Sequence, residues 1–372
     1  MVIVNTLRSI SFAVVAVLLI VIVTYAQVKP QTESQRLTDE TLTLVREKRY
    51  DDAIRTAEQA VKLERNRSPL NRNSLAAGLM NLARLIRLRQ QQSSEIRKQN
   101  FSKSPLSTIE WVNLLADRLE QIYREAIELY GRDSNNSTQQ ATAMFELADY
   151  TSFDRDLMRS DGDRFRKTEQ LYLDALELLE RSYGVADERA LSGTSLLADF
   201  YRDVGEFEKS LPLYLKFITG VETKIGKNSK ALEPALLSAA EILSGSFQTE
   251  QAESYVQRLT DISGKPQVLP EYSLNLTSRT KQDHESKMMG DSRTIRTYLK
   301  TLKWLPVNVT VDENGKVISA EPEPTSEVDI DGRNVRDRAQ KEVRDWKFKP
   351  FSIDGINRKM RGKVLFSYLV KA

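Results

Sequence analysis

The chain of 372 residues contains no cysteine and a single histidine, His284. The absence of cysteine excludes disulfide bonds, thiolate metal ligands, cysteine nucleophiles and lipid attachment at cysteine. A lone histidine without cysteine has only scattered carboxylates as companion ligands for zinc. We therefore expect His284 to be a solvated residue, and we predict no metal site.

The sequence also lacks the short motifs of common catalytic and nucleotide-binding sites. GxxxxGK[ST], GxGxxG, HExxH and GxSxG do not occur. Residues 329–332 match only part of a calcium loop, so we expect a solvated turn there. Charge of one sign is not in excess, since 55 basic and 52 acidic residues give a net charge of +3, and this balance gives no indication of a nucleic-acid partner. We predict a protein without catalytic or cofactor-binding residues.

The cellular location of the protein is predicted from its N-terminal segment. Arg8 is the only charged side chain before Lys29, and residues 10–23 are almost wholly apolar. Together with Ala26, this pattern is typical of a secretory signal peptide. We therefore predict that residues 1–26 are removed on export and that the remaining chain is periplasmic. An uncleaved inner-membrane anchor at residues 10–26 stays open, since this run is near the short end for a membrane span.

Residues 27–262 are predicted to be helical and to contain an internal repeat. Tyr172 and Gly184 recur as Tyr214 and Gly226, an offset of 42 residues. Antiparallel helices need small side chains where they cross closely and large ones between neighbouring pairs. One unit shows this alternation at Ala198, Tyr201, Gly205, Phe207, Ser210 and Tyr214. This spacing resembles the tetratricopeptide repeat, which implies an α-solenoid whose concave side binds protein or peptide partners.

The repeat pattern predicts about five helical pairs, at 35–65, 75–130, 138–184, 189–226 and 230–262. Two polar stretches, 89–105 and 154–163, are expected to leave the stack as loops. Helical periodicity ends near Gly264 and Pro266, so residues 263–300 are predicted to form a linker.

Residues 301–372 predict a different kind of domain. Val307, Val309 and Val311 alternate with polar residues as in a half-buried strand, and the Asn314-Gly315 pair favours a tight hairpin turn. A returning strand, a helix from 335 to 346 and a final strand follow. Asn334 is the expected cap of this helix, and its apolar stripe is Val335, Ala339, Val343 and Trp346. We expect Trp346 to close the core between this helix and the sheet.

Three blocks of this domain resemble the TonB C-terminal domain family. They are residues 307–317, 346–350 with the glycine that follows at 355, and 364–368. The resemblance implies a small α+β fold in the order ββαβ. The residues implied to form its core and turns are Val309, Val311, Gly315, Trp346, Phe348, Pro350, Gly355 and Phe366.

The sequence thus predicts a mainly α protein, a tetratricopeptide-like solenoid followed by a small TonB-like α+β domain. The favoured function is an exported adaptor that binds protein partners in the cell envelope without catalysis. A TonB-type energy transducer, anchored in the inner membrane and acting on outer-membrane transport, is the alternative. An enzyme that uses scattered carboxylates is the third and least favoured hypothesis.

Overall fold

A computed structural model describes residues 32–99, 107–152, 162–269, 271, 273–274, 276, 302–329 and 332–369. The predicted signal peptide or anchor, most of the predicted 154–163 loop, and His284 lie outside these residues. The chain divides into two compact units, with the boundary between Ser93 and Ser94. The fold is mainly α, with a small antiparallel sheet near the C-terminus.

The first unit contains helices α1 (Glu33–Arg46) and α2 (Tyr50–Arg65) and most of α3 (Arg72–Gln99). Helix α1 begins with a capping box, in which Thr32 and Gln35 each accept the other's backbone N–H through their side chains. Helices α1 and α2 form the pair predicted at 35–65. The structure corrects one prediction here: residues 89–99 continue α3 instead of leaving as a loop, and their glutamines are good helix formers.

The helices of the second unit pack as consecutive antiparallel hairpins. They are α4 (Ser107–Gly131), α5 (Ser137–Ser152), α6 (Gly162–Tyr183), α7 (Glu188–Asp203), α8 (Phe207–Lys224), α9 (Glu233–Gly245) and α10 (Thr249–Ser263). Short 3-10 turns at Ser134–Asn136 and Lys230–Leu232 precede α5 and α9. The hairpins α5/α6, α7/α8 and α9/α10 correspond to the pairs predicted at 138–184, 189–226 and 230–262. The boundary between the two units falls in α3, within the stretch predicted as the pair 75–130, and α4 belongs to the second unit.

The C-terminal sheet has three strands in the order β2-β1-β5, all antiparallel. The elements of this C-terminal region are β1 (Leu302–Val311), β2 (Val317–Pro322), α11 (Val335–Arg344), β3 (Phe351–Ile353), β4 (Ile356–Arg358) and β5 (Met360–Leu369). Strands β3 and β4 form a separate hairpin. The short β3/β4 hairpin is an addition to the predicted order of strand, strand, helix and strand. Val307, Val309 and Val311 are fully buried, as their alternation with polar residues predicts.

Helix α11 begins as predicted, with Asn334 as its cap. The Asn334 side chain accepts the Asp337 N–H at 3.1 Å. Val335, Ala339 and Val343 form the buried stripe of the helix. Trp346 follows the end of the helix and packs against the core, as predicted for a side chain that closes it, but it is only partly buried. Phe348, two residues later, is 5% exposed and occupies the interior instead.

The sheet and the last helical hairpins share one hydrophobic core. The Phe207 ring of α8 lies 5.5 Å from the Phe351 ring of β3, centroid to centroid. Lys349 contacts both carboxylate oxygens of Glu206 at 2.7 Å. Side chains from α7 to α10 and from the sheet belong to the same buried cluster. Within this unit the helical repeat and the sheet are therefore packed together.

Two residues of the predicted linker belong to this core. Leu274 and Leu276, which we call the two edge leucines, are 3% and 2% exposed. The Lys363 N–H of β5 donates to the Leu274 carbonyl at 2.7 Å, and the Leu276 N–H donates to the Lys363 carbonyl at 2.8 Å. This pair of bonds around one residue is the arrangement of a parallel bridge. The segment thus lies along the β5 edge instead of passing freely between two domains.

Candidate functional site: a groove over three helices

Helices α5 and α7 lie side by side, and α6 packs behind them. Their buried faces form one aromatic cluster. The ring centroids of Tyr172 and Phe200 are 4.9 Å apart, and those of Phe145 and Tyr172 are 5.9 Å apart. These large rings fill the space between neighbouring hairpins, which leaves the outward faces of α5 and α7 to form a groove.

The groove contains a cavity of about 470 Å³. Its lining comes mainly from α5 and α7, with Tyr172 from α6: Thr142, Phe145, Glu146, Asp149, Ser152, Tyr172, Leu196, Asp199, Phe200, Asp203 and Val204. The volume is within the range of roughly 300–1,000 Å³ that is usual for ligand pockets. Leu196 lines the cavity and is 43% exposed. The site therefore offers an apolar floor and a rim of carboxylates.

The carboxylates of the groove are held by the helices behind it. The Tyr214 hydroxyl of α8 donates to Asp199 at 2.5 Å, and the Tyr123 hydroxyl of α4 donates to Glu146 at 3.3 Å. Arg202 lies beside the groove, 3.3 Å from Asp203 and 3.7 Å from Asp199, and also donates to the Ser238 hydroxyl of α9. These contacts fix the acidic side chains in place before any partner arrives.

Burial and neighbouring charges shift the pKa values of two groups in the groove, the Asp199 carboxyl and the Tyr172 hydroxyl. Burial raises the pKa of Asp199, while the Tyr214 hydroxyl and the Arg202 charge oppose that rise. Burial, followed by the negative charge of Asp149, raises the pKa of the Tyr172 hydroxyl, and Asp203 and Asp199 act in the same direction. The carboxylates of Asp149, Asp199 and Asp203 thus act on the Tyr172 hydroxyl at the floor of the groove.

The repeat residues identified from the sequence lie behind the groove, at the crossing of α7 and α8. Ala198, Tyr201, Phe207, Ser210 and Tyr214 are all buried. The Ser210 hydroxyl donates to the Ala198 carbonyl at 2.8 Å, so these two small residues meet at the closest approach. Gly205 has a positive φ of 79° in the turn between the two helices. These residues build the scaffold and do not line the cavity.

The groove residues themselves were not identified from the sequence. Leu196, Asp199 and Asp203 follow one another at spacings of three and four, so they occupy one stripe of α7. Their stripe lies beside the predicted packing stripe that contains Ala198. A search for acidic residues at helical spacing next to the packing positions would have found Asp199 and Asp203.

The eight residues singled out by the resemblance to the TonB C-terminal domain lie between β1 and β5, in the region that we call the sheet domain, and do not line the groove. Val309, Val311 and Phe366 are buried in its core. Gly315 and Phe348, from different blocks of the motif, meet through a hydrogen bond from the Phe348 N–H to the Gly315 carbonyl at 2.8 Å. Pro350 is exposed, and Gly355 forms the β3/β4 turn with a φ of 72°.

No group of three or more His, Asp or Glu residues suited to a metal ion occurs among the described residues. Asp329, expected from the sequence in a solvated turn, is instead 1% exposed and pairs with Arg333 at 3.1 Å and Arg338 at 3.0 Å. Its carboxylate therefore anchors the loop before α11. Within the same described part of the chain, no helix is both long and apolar enough to cross a membrane.

Comparison with known proteins identifies no family for this chain. No protein-family profile matches it, and no curated protein matches it. Among solved structures, it is similar to the BtubC (BKLC) protein from P. vanneervenii, with 14% identity and a TM-score of 0.46 over 65% of this chain and 86% of that one.

Two further solved structures show similarity of the same order. A putative kinesin light chain from Podospora anserina with nearly identical TPR-like repeats has 12% identity and a TM-score of 0.44, over 63% of this chain and 97% of that one. The apo form of RapI has 12% identity and a TM-score of 0.46, over 71% of this chain and 80% of that one. The fold assignment rests on the hairpins and the sheet described above.

Proposed function

We propose that this chain is a non-catalytic adaptor of the cell envelope that binds a protein partner in the groove over α5, α6 and α7. The observation that carries this proposal is the cavity of about 470 Å³, with an exposed leucine and an aromatic floor. Protein-binding sites combine apolar anchors with a polar rim. The lining of the cavity supports this proposal, because it combines an apolar floor with acidic side chains.

A photo-crosslinking amino acid at position 196 tests the groove. We expect a discrete protein adduct from Leu196, identified by mass spectrometry after irradiation of intact cells. The matched control is Leu173 on α6, which is 40% exposed and does not line the cavity. Identical adducts from both positions, or no adduct from Leu196, would remove the groove from the proposal.

The location in the cell envelope is part of the same proposal and is supported by the sequence alone. Arg8, the apolar residues 10–23 and Ala26 favour export with cleavage after residue 26. N-terminal sequencing of the native protein tests it. A mature chain that still begins at Met1 and needs detergent for extraction would instead favour the anchored transducer.

The sheet domain is proposed as a second binding element, by its resemblance to the TonB C-terminal domain. Extended peptides bind such sheets by adding a strand to an exposed edge. Part of the β5 edge is already paired with the segment that carries Leu274 and Leu276. A partner strand at that place would have to displace these residues.

A further inference from the structure

The charged side chains that line the cavity are all acidic. Glu146 and Asp149 come from α5, and Asp199 and Asp203 come from α7. Among the described residues that line the cavity there is no lysine or arginine. Arg202 lies beside the cavity, pairs with Asp203 and donates to the Ser238 hydroxyl of α9. Arg164 of α6 donates to the carbonyl of Thr151, the neighbour of the lining residue Ser152. Even with both arginines counted, four carboxylates against two guanidinium groups leave the described part of the site with an excess of negative charge.

A further carboxyl group, outside the cavity lining, lies within the electrostatic influence of Arg202. Glu241 of α9 is partly buried, and burial raises the pKa of its carboxyl while the charge of Arg202 opposes the rise. Carboxylates with limited access to water gain more from an incoming cation than carboxylates in bulk solvent do. The groove is therefore suited to a positively charged occupant.

The apolar surface of the site indicates that its ligand also carries apolar groups. The aromatic floor is closed by buried rings, and Leu196 projects beside it with 43% of its surface exposed. A small inorganic cation would leave this apolar surface uncovered. In an extended peptide with alternating apolar and basic residues, the apolar side chains all face the floor, because successive side chains point to opposite sides. The long, flexible lysine or arginine side chains can bend back to reach the carboxylates at the rim.

We propose that the partner segment bound in this groove is an extended peptide in which lysine or arginine alternates with leucine-like side chains. This inference rests on the proposed binding function of the groove and specifies the chemistry of its partner. The basic side chains meet the carboxylates of α5 and α7, and the apolar side chains cover Leu196 and the aromatic floor. The opposite charges of the groove and the peptide also speed their association, and the negative groove repels acidic partners.

Fluorescence anisotropy with the purified full chain tests this chemistry. The probes are three labelled nonapeptides, one alternating Lys and Leu, one alternating Glu and Leu, and one alternating Lys and Ser. We expect measurable binding of the Lys/Leu peptide only, and weaker binding as salt screens the charges. Tight binding of the Glu/Leu peptide would overturn the proposal, as would equal binding of the Lys/Ser peptide.

Paired variants locate the binding site. Asp149→Asn with Asp203→Asn removes two charges from the groove and keeps the side-chain shape. Glu177→Gln with Glu253→Gln removes two exposed charges outside the cavity lining. We expect the groove pair to weaken Lys/Leu binding by about tenfold, from up to about 1 kcal/mol for each lost ion pair. The control pair should leave the affinity within about twofold, and circular dichroism verifies that both variants fold.

The outcomes separate this inference from the proposed function. Equal weakening by both variant pairs would show non-specific attraction and overturn the cationic-peptide proposal. If no probe binds while Leu196 still gives its adduct in cells, the groove remains a binding site and the proposed peptide chemistry is wrong. If the adduct is absent as well, both proposals fail.

Discussion

At the scale of single residues, the helical repeat depends on small side chains at its crossings. Ala198 is fully buried, and its carbonyl accepts the Ser210 hydroxyl from the next helix. Ala198→Trp would force a ring into this contact, and overpacking of this kind costs roughly 1–3 kcal/mol or more. We expect a lower midpoint of denaturant unfolding for the second unit. Ser192→Trp, at an exposed position on the same helix, is the control and should leave the midpoint nearly unchanged.

Gly315 is required for two reasons that can be separated by experiment. Its φ is 81°, and a Cβ at this position would lie 2.0 Å from the Phe348 carbonyl oxygen. Gly355 has a similar φ of 72°, but a Cβ there would meet nothing within 4 Å. Gly355→Ala should therefore cost only the backbone strain, about 1–2 kcal/mol.

Gly315→Ala should cost clearly more than Gly355→Ala, because the added methyl group must also displace the Phe348 backbone. Urea unfolding of both variants measures the difference in the free energy of unfolding. Equal costs for the two substitutions would show that the approach of Phe348 to the turn is not a tight contact in solution.

Phe348 replaces Trp346 as the aromatic residue whose loss should damage the sheet domain most. Phe348 is 5% exposed, and Trp346 is half-buried. We expect Phe348→Ala to cost roughly 3–5 kcal/mol, the usual range for deleting a buried aromatic side chain. Trp346→Ala should cost less, and thermal unfolding of the two variants compares them. A larger loss of stability from Trp346→Ala would restore the sequence-based prediction.

At the scale of elements, the β5 edge is held by chain that the sequence alone presents as a linker. Gly362 allows the close approach, because a Cβ there would lie 2.5 Å from the Leu274 carbonyl oxygen and 2.7 Å from Leu276 Cγ. Arg361 adds contacts with Glu271 and with the Ser244 hydroxyl of α9, each at 3.2 Å. This segment therefore joins the sheet to the last helical hairpin.

Removing the two edge leucines tests that connection. Leu274→Ala with Leu276→Ala removes two buried side chains, each worth roughly 2–5 kcal/mol when truncated in a core. We expect faster amide hydrogen exchange at Lys363, whose N–H donates to Leu274. Val268→Ala, at a position that is 87% exposed in the same stretch of chain, serves as the control. Unchanged protection of Lys363 in the double variant would show that the edge is not held by this segment.

The sequence predicted several local features of this fold but not the long-range contacts. Local patterns predicted the hairpin turn at Gly315, the Asn334 cap and the buried stripe of α11, because each depends on residues within one turn or one hairpin. The role of Leu274 and Leu276 depends on contacts with β5, about ninety residues away, and no periodicity marks it. The groove belongs to the same class, since Asp149 and Asp203 meet only when α5 and α7 pack side by side.

At the scale of the whole molecule, the sheet and the helical hairpins beside it are expected to unfold together. The second unit carries a continuous buried cluster from α7–α10 into the sheet, with Phe207 and Phe351 in contact at its centre. Elements that share one core tend to open together as a cooperative unit. The helical hairpins α7/α8 and α9/α10 and the sheet should therefore not behave as separately stable domains, although the sequence pattern divides them at residues 263–300.

Phe351→Ala tests this cooperation. It removes an 8% exposed ring that contacts both Phe207 of α8 and Phe348 of the sheet domain. We expect hydrogen exchange measured by mass spectrometry to accelerate in α8 and α9 as well as in β1, because the lost free energy is shared across the core. The α1/α2 hairpin belongs to the other unit and supplies the internal control, with unchanged exchange. If acceleration were confined to the sheet, the sheet would open independently, and the joint core would not govern the stability of α8 and α9.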